Sequence, residues 1–334
     1  MAKKDDDRSV DRRGFLQCMA WVGTGAVWTM SSGVLKGIPL GQAGRGSMAH
    51  AAGGGGLRFV QISDSHIGFD KPANTDVTAT LRAAIAKIKA APDQPSFILH
   101  TGDLTHLSKP AEFDTLQQVL SELSLPVFYV PGEHDVLEDD GRNYLQRFGK
   151  GTQGAGWQSF DKNGVHFIGL VNVVNLKAGG LGSLGKEQLE WLEKDVKHLK
   201  SSTPIVVFAH IPLWSVYPEW GWGTDDGAQA LSYLKRFGSV SVLNGHIHQV
   251  MQKVEGHITF HTAMSTAFPQ PAPGSAPSPG PMKVEADRLK KVLGLSRVWF
   301  QEVNHPIAIT DVPLEEPMKA SAGDREMSGQ IVVG

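Results

Sequence analysis

Between residues 57 and 130 the hydrophobic and polar positions switch regularly between the strand period and the helix period. Leu57-Arg58-Phe59-Val60-Gln61-Ile62 alternates and is rich in strand formers, which predicts a β-strand. From Thr75 to Ala91, the apolar residues Val77, Leu81, Ala84, Ile85 and Ile88 share one helix face, and Pro92 ends it. Phe97-Ile98-Leu99 predicts a second strand. Ser108 and Pro110 read as an N-cap region and a first-turn proline, opening a helix through Phe113, Leu116, Leu120 and Leu123. Val127–Val130 predicts a third strand. Strand, helix, strand, helix, strand with short links is the pattern of an α/β core with parallel strands.

A second set follows without a linker. Val165–Leu170 reads as strand and Lys186–Leu199 as helix, with Leu189, Leu192, Val196 and Leu199 inward. Ile205–Phe208 is a strand, Ala228–Phe237 a helix, and Val240–Leu243, Gln252–Val254 and Ile258–Phe260 are short strands. Arg297–Val303 and Ile307–Ile309 read as closing strands, and residues 313–334 as a polar tail. The two sets are therefore expected to form one domain over residues 52–312. Two stretches break the pattern. Trp214, Tyr217, Trp220 and Trp222 crowd the loop after His210, either burying themselves against the sheet or walling a substrate cleft. Phe268 to Pro281 is rich in Pro, Ala, Gly and Ser and reads as an extended loop.

Candidate chemistry sits where the strands stop. Five apolar runs each end in a short turn or loop carrying Asp, Glu or His: Asp64-Ser65-His66, Gly102-Asp103, Glu133-His134-Asp135, His210 and His246-Ile247-His248. In open α/β sheets ligands bind beside the carboxyl ends of strands. Asp64 and His66 are two apart, as are His246 and His248, a spacing that lets a turn aim both side chains at one cation. Imidazole and carboxylate without thiolate suit Zn, Mn and Fe. The candidate ligands are Asp64, His66, Asp103, Glu133, His210, His246 and His248. Seven side chains exceed one ordinary ion and fit two if a carboxylate bridges, with Asp103 the natural bridge because its loop lies centrally in the set. Two such ions, roughly 3.5–4 Å apart, clamp an in-line displacement at phosphorus. His100, His166, His198, His257, His261 and His305 are read as structural, while His106 lies near Asp103 with no matched ligand role.

Composition narrows the classes. A formal net charge of −2 gives no ground for nucleic acid or an anionic membrane surface as partner. The single cysteine, Cys18, lies in the segment expected to be removed, so disulfides and thiolate metal sites are not expected in the mature chain. No P-loop pattern is present, which argues against motor or kinase chemistry. Residues 1–51 read as a targeting signal: charged at the start, then Arg12-Arg13-Gly14-Phe15-Leu16, a weakly apolar stretch, and Ala49-His50-Ala51. Paired arginines before Phe-Leu resemble a twin-arginine export signal, so the partner is the twin-arginine machinery and the location periplasmic or secreted. Gly, Ser, Thr and Lys36 break the stretch too often for a stable membrane anchor.

The five blocks, in order over about residues 57–262, resemble the calcineurin-like metallophosphoesterases. Ile62-Ser63-Asp64-Ser65-His66 and Thr101-Gly102-Asp103-Leu104-Thr105 are most similar to the cyclic-nucleotide phosphodiesterase subgroup. The resemblance implies a four-layer αββα sandwich of two mixed β-sheets flanked by helices, with a dinuclear metal site on loops at the strand ends. It implies that Asp64, His66 and His248 hold one metal, that Glu133, His210 and His246 hold the other, and that Asp103 bridges. The ions would be two divalent or mixed-valence Fe, Mn or Zn, and a metal-bridging hydroxide would be the nucleophile. His134 and Asp135 are the implied catalytic pair, His134 at the phosphoryl or leaving oxygen and Asp135 orienting it.

One position departs from the family, which normally has Asn where this chain has Glu133. Two divalent ions with Asp64 and Asp103 leave a charge of about +2, which Glu133 lowers to about +1 unless one ion is trivalent. The expected function is metal-dependent hydrolysis of a small phosphate ester, either a diester or a monoester. The alternatives are a metal-binding protein of the same fold with weak or no hydrolase activity because of Glu133, and redox use of the metals. If the targeting reading holds, amino-terminal sequencing of the exported protein will begin at Ala52. Recovery of residues 1–51 on that protein would overturn it.

Overall fold

The computed structural model describes residues 26–31, 34–39, 56–300 and 307–315. The chain divides into two units, Met1–Gly54 and Gly55–Gly334. In the first, β1 (Ala26–Ser31) pairs antiparallel with β2 (Val34–Pro39). The paired arginines, the Ala49-His50-Ala51 site and the tail beyond Glu315 lie outside the described residues.

The second unit runs β3 (Leu57–Ile62), α1 (Val77–Lys89), β4 (Ile98–Thr101), α2 (Pro110–Leu120), β5 (Val127–Val130), α3 (Arg142–Phe148), β6 (Gln158–Lys162) and β7 (Val165–Leu170). It continues through α4 (Lys186–Val196), β8 (Ile205–Ala209), α5 (Gly227–Leu234), β9 (Val240–Asn244), β10 (Gln252–Glu255) and β11 (Ile258–Thr262). It closes with α6 (Ala286–Val292), β12 (Gly294–Phe300) and β13 (Ala308–Pro313). Two mixed sheets result, ordered β13-β12-β3-β4-β5 and β10-β11-β9-β8-β7-β6. β3, β4 and β5 run parallel in the first, and β7, β8, β9 and β11 run parallel in the second.

The layers follow from the period-two pattern of strands whose faces are both buried. On β8, Val206 and Phe208 join Phe59, Phe97, Leu99, Phe167 and Val298 in the core between the sheets. Their neighbours Ile205, Val207 and Ala209 face the other way, onto Leu189 and Leu192 of α4 and Ala230 and Leu234 of α5. Val60 and Ile62 likewise meet Leu81, Ile85, Phe113 and Leu116 of α1 and α2. Helix, sheet, sheet, helix is thus the order, as the resemblance implied. Among the described residues no helix is long and apolar enough to cross a membrane.

Several element bounds differ from expectation. Lys109, not Ser108, is the N-cap of α2; Ser108 has φ +51° and its hydroxyl accepts the Glu138 N–H at 2.9 Å. The apolar stripes of α2 and α4 continue to Leu123 and Leu199, but both helices stop a turn earlier, since those leucines pack from the turns that follow. β12 starts at Gly294 rather than Arg297 because its register is set against β3, with Ser296 opposite Gln61 and Val298 opposite Phe59. α3, β6 and α6 are too short, or too near an edge, to leave a periodic trace.

His166 on β7 is buried between Asp161 of β6 and Asp195 of α4, its two ring nitrogens each 2.9 Å from a carboxylate oxygen. Burial opposes a charged ring, but the Asp195 and Asp161 carboxylates outweigh it and raise the pKa above the ordinary 6.5. The native state therefore holds the proton more tightly than the unfolded chain. This contribution to stability is complete below pH 6.5 and is lost as pH rises through the raised native value. Urea midpoints are expected to fall across that window in the wild type, and the fall should be smaller in His166→Gln. Equal slopes in the two proteins would contradict the assignment.

Candidate metal centre

The seven candidate ligands come from five strand ends at one edge of the two sheets. β3 delivers Asp64 and His66, β4 delivers Asp103, and β5 leads into a single 3-10 turn at Glu133–Asp135. β8 delivers His210, and β9 delivers His246 and His248. Backbone bonds stitch neighbouring ends together within each sheet: Asp64 N–H to the Gly102 carbonyl (3.0 Å), His66 N–H to Asp103 (2.9 Å), and Gly245 N–H to His210 (3.0 Å). All seven residues are brought together. Asp64, His66, Asp103 and His248 form one group, with ligand atoms within 4.8 Å of one another; Glu133, His210 and His246 form a second on the same measure. Asp103 lies between them, with Oδ2 at 3.4 Å from His66 Nε2 and 3.4 Å from His210 Nε2.

The backbone is bent to achieve this. Asp64, His66, Asp103, His246 and His248 all have positive φ, between 41° and 70°. For residues other than glycine this left-handed region is sparsely used, costs about 1–3 kcal/mol each, and clusters at functional sites. Gly102 (φ +94°) makes the turn into Asp103, and any side chain there would strike the His210 ring. A side chain at Gly132 would collide with the Asp103 carboxylate.

Three carboxylates are gathered here, Asp64 and Asp103 buried and Glu133 about a quarter exposed. Among the described residues their ion-pair partners are histidines alone. Burial works against ionised Asp64 and Glu133. His248 and then His210 nevertheless hold Asp64 below its usual value, and His246 and His210 hold Glu133 well below. On His210 burial disfavours the charged ring, but Asp103 and Glu133 raise its pKa well above normal. Burial, then His134, His248 and His106, push His66 well below.

The donor set fits metal ions. His210 Nδ1 lies 2.7 Å from the Thr101 carbonyl and His248 Nδ1 bonds the Phe268 carbonyl. Such a bond takes the Nδ1 proton and leaves Nε2 as a lone pair turned inward, the arrangement that orients metal-binding histidines. His66 Nε2 and His248 Nε2 face each other at 3.2 Å. His210 Nε2 and Glu133 Oε2 lie 2.9 Å apart yet, like both nitrogens of His246, are buried without a hydrogen bond of acceptable geometry. Buried polar atoms without partners are rare, and here they converge from several directions.

The residues expected to act on substrate are placed differently from each other. His134 is at the cavity floor, and its Nδ1 bonds the His106 carbonyl at 2.7 Å. Burial opposes its charged form, but Asp103 and Glu133 raise its pKa. Asp135, expected to orient His134, has its carboxylate occupied elsewhere. It accepts from the backbone N–H groups of Leu104 (3.0 Å), Thr105 (2.8 Å) and Gly132 (2.9 Å) and from the Thr105 hydroxyl (2.8 Å). Asp135 therefore ties the loop of Asp103 to the loop of Glu133, and the His106 carbonyl orients His134. His106 itself was not singled out by spacing; its ring stacks on His134 at 4.9 Å and 17°. Phe268, which holds His248, has no sequence signal at all. His100 and His261 are structural as expected, bonded to Ser65 (2.8 Å) and Asp311 (3.1 Å).

Asp135→Asn turns an amide N–H₂ toward N–H donors. It is expected to cost about 1–3 kcal/mol of stability and to lower metal affinity about 10–100-fold, both measurable by urea unfolding and metal titration. Native metal affinity with loss of turnover alone would show instead a direct catalytic role.

Residues 57–250 match the family model described as calcineurin-like phosphoesterase. The chain is 24% identical over 218 residues to a 3',5'-cyclic-nucleotide phosphodiesterase of Nostoc, covering 64% of this chain and 79% of the relative. It is 23% identical over 230 residues to the glycerophosphodiester phosphodiesterase GpdQ of Enterobacter lignolyticus, with coverage of 64% and 79%. A dimetal phosphatase from Danio rerio shares the fold at TM-score 0.56 and 14% identity, over 78% of this chain and 97% of that one. With the five strand-end blocks inside the matched span, the chain belongs to the calcineurin-like phosphoesterase family and is a phosphoric ester hydrolase.

Proposed function

We propose that this hydrolase works with two metal ions, held by Asp64, His66 and His248 on one side and Glu133, His210 and His246 on the other, with Asp103 between. The observation that carries the reading is the position of the Asp103 carboxylate, 3.4 Å from an imidazole nitrogen of each group. Ions held by these residues would supply Lewis acidity and would acidify a water to serve as the nucleophile. The chain's own residues do the rest. Thr101 and Phe268 carbonyls keep two histidines in the ligand tautomer. His134, fixed through Nδ1 by His106, keeps Nε2 available to hold a proton for the leaving oxygen. The relatives named as phosphodiesterases support a diester as substrate. Export of the folded chain by the twin-arginine route belongs to the same proposal, resting on Arg12-Arg13 and Ala49-His50-Ala51.

Glu133 favours a second reading at the same site. Its carboxylate reaches both His210 (2.9 Å) and His246 (3.0 Å), so it is placed to be a ligand and to lower the positive charge that activates phosphate. A site blunted this way would bind metal with little turnover. Metal analysis together with hydrolysis of bis(p-nitrophenyl) phosphate separates the two. About two metals per chain are expected, with turnover lost in Asp103→Ala and a changed metal preference in Glu133→Asn. Two metals without turnover, restored by Glu133→Asn, would support the blunted site. One metal or none after Mn, Zn or Fe reconstitution would contradict both.

A further inference from the structure

Above the metal-ligand cluster lies a cavity of about 350 Å³, near the small end for sites that take organic ligands. Its floor is the cluster itself. Its walls come from two stretches of which the proposed hydrolysis uses only the Phe268 carbonyl: Trp220 and Trp222 from the loop after β8, and Phe268, Gln270 and Pro279–Pro281 from the proline-rich loop after β11.

Three features of these walls bear on what they hold. First, Trp220 packs against two perpendicular rings, Tyr217 at 5.1 Å and Trp222 at 5.2 Å, while Trp222 is fully buried. Trp214, in contrast, packs on Phe260 of the core at 4.9 Å. The aromatic loop is therefore divided: one tryptophan serves the fold and another presents a fixed ring to the cavity. Second, among the described residues the lining contains no Lys or Arg, and its carboxylates are Asp103 and Glu133. Phosphates away from a metal are normally met by Arg or Lys, so a second phosphate would find no such partner in this lining. Third, half-buried Gln270 lines the cavity, and its side-chain carbonyl lacks a hydrogen-bond partner among the described residues, a cost that a ligand group can relieve.

We propose that this cleft receives the ester group of a singly phosphorylated substrate as a planar, uncharged ring against Trp220. Gln270 hydrogen-bonds the polar edge of that ring, and a second phosphate is disfavoured. The inference rests on the hydrolase reading and names its substrate class. A nucleobase and a simple aryl ester share the planar ring, and only the nucleobase brings a polar edge for Gln270; the choice of probes tells them apart.

The test is calorimetric titration of the metal-reconstituted full chain with monoanionic phosphonates, alongside phosphate-ester turnover on the same samples. Monomethyl phenylphosphonate is expected to bind about tenfold or more tighter than monomethyl methylphosphonate, the scale of one ring stacked on an aromatic side chain. Trp220→Leu should bring the two within about twofold, whereas Trp220→Phe should keep the preference. Thymidine 5'-methylphosphonate should bind tighter than the phenyl ligand if the ring is a base, and Gln270→Ala should then weaken it while sparing the phenyl ligand. A 3'-phosphate added to that nucleoside should weaken binding. Equal affinity for the phenyl and methyl ligands, or an unchanged preference in Trp220→Leu, would overturn the cleft. Turnover without ring preference overturns the cleft alone; ring preference without turnover overturns the hydrolase reading and leaves the cleft standing.

Discussion

Everything at this edge of the molecule answers to three carboxylates held together with no lysine or arginine among their ion-pair partners in the described residues. Asp64, Asp103 and Glu133 repel one another in a region largely closed to water, where charge is costly unless paired. Histidines are their partners among the described residues, and a histidine can balance them only by taking a proton that it must give up to bind a metal. The pKa of His210, raised by Asp103 and Glu133 against the opposing effect of burial, is in line with that demand for positive charge. Metal cations would meet it, and would use the inward lone pairs of the same histidines.

The fold exists to hold those groups against their repulsion. Parallel strands in both sheets bring five carboxyl ends to one edge, and the aromatic layer of Phe59, Phe97, Phe167 and Phe208 fixes one sheet on the other. Over that rigid base, left-handed turns at five ligands bend the chain away from the strand direction, so that side chains from separate strand ends converge. Asp135 shows how the strain is contained: four donors from two loops close on one buried carboxylate, locking the loop of Asp103 to that of Glu133.

Much of this was legible in the sequence, for a physical reason. Strand ends that carry Asp and His at a spacing of two betray convergence, because their side chains have no use on a buried sheet; all seven candidates meet in space. Helix faces such as Val77, Leu81 and Ile88 show themselves through the 3.6 period. What stayed hidden depends on backbone rather than on side-chain type. Carbonyls carry no sequence label, so the roles of Thr101, His106 and Phe268 in orienting histidines emerge only from the turns that deliver them. The same is true of Asp135, whose neighbour His134 drew it into a catalytic reading while its donors come from residues 104, 105 and 132. The split between Trp214 and Trp220 likewise depends on how one loop folds back on itself.

The measurement that tests the account most directly is anomalous X-ray scattering from crystals of the reconstituted protein, collected at the absorption edge of the bound metal. Two peaks are predicted, one among Asp64, His66 and His248 and the other among Glu133, His210 and His246, with Asp103 contacting both. A single peak, or a second peak that Glu133 and His210 do not touch, would contradict the paired centre on which the rest of the reading stands.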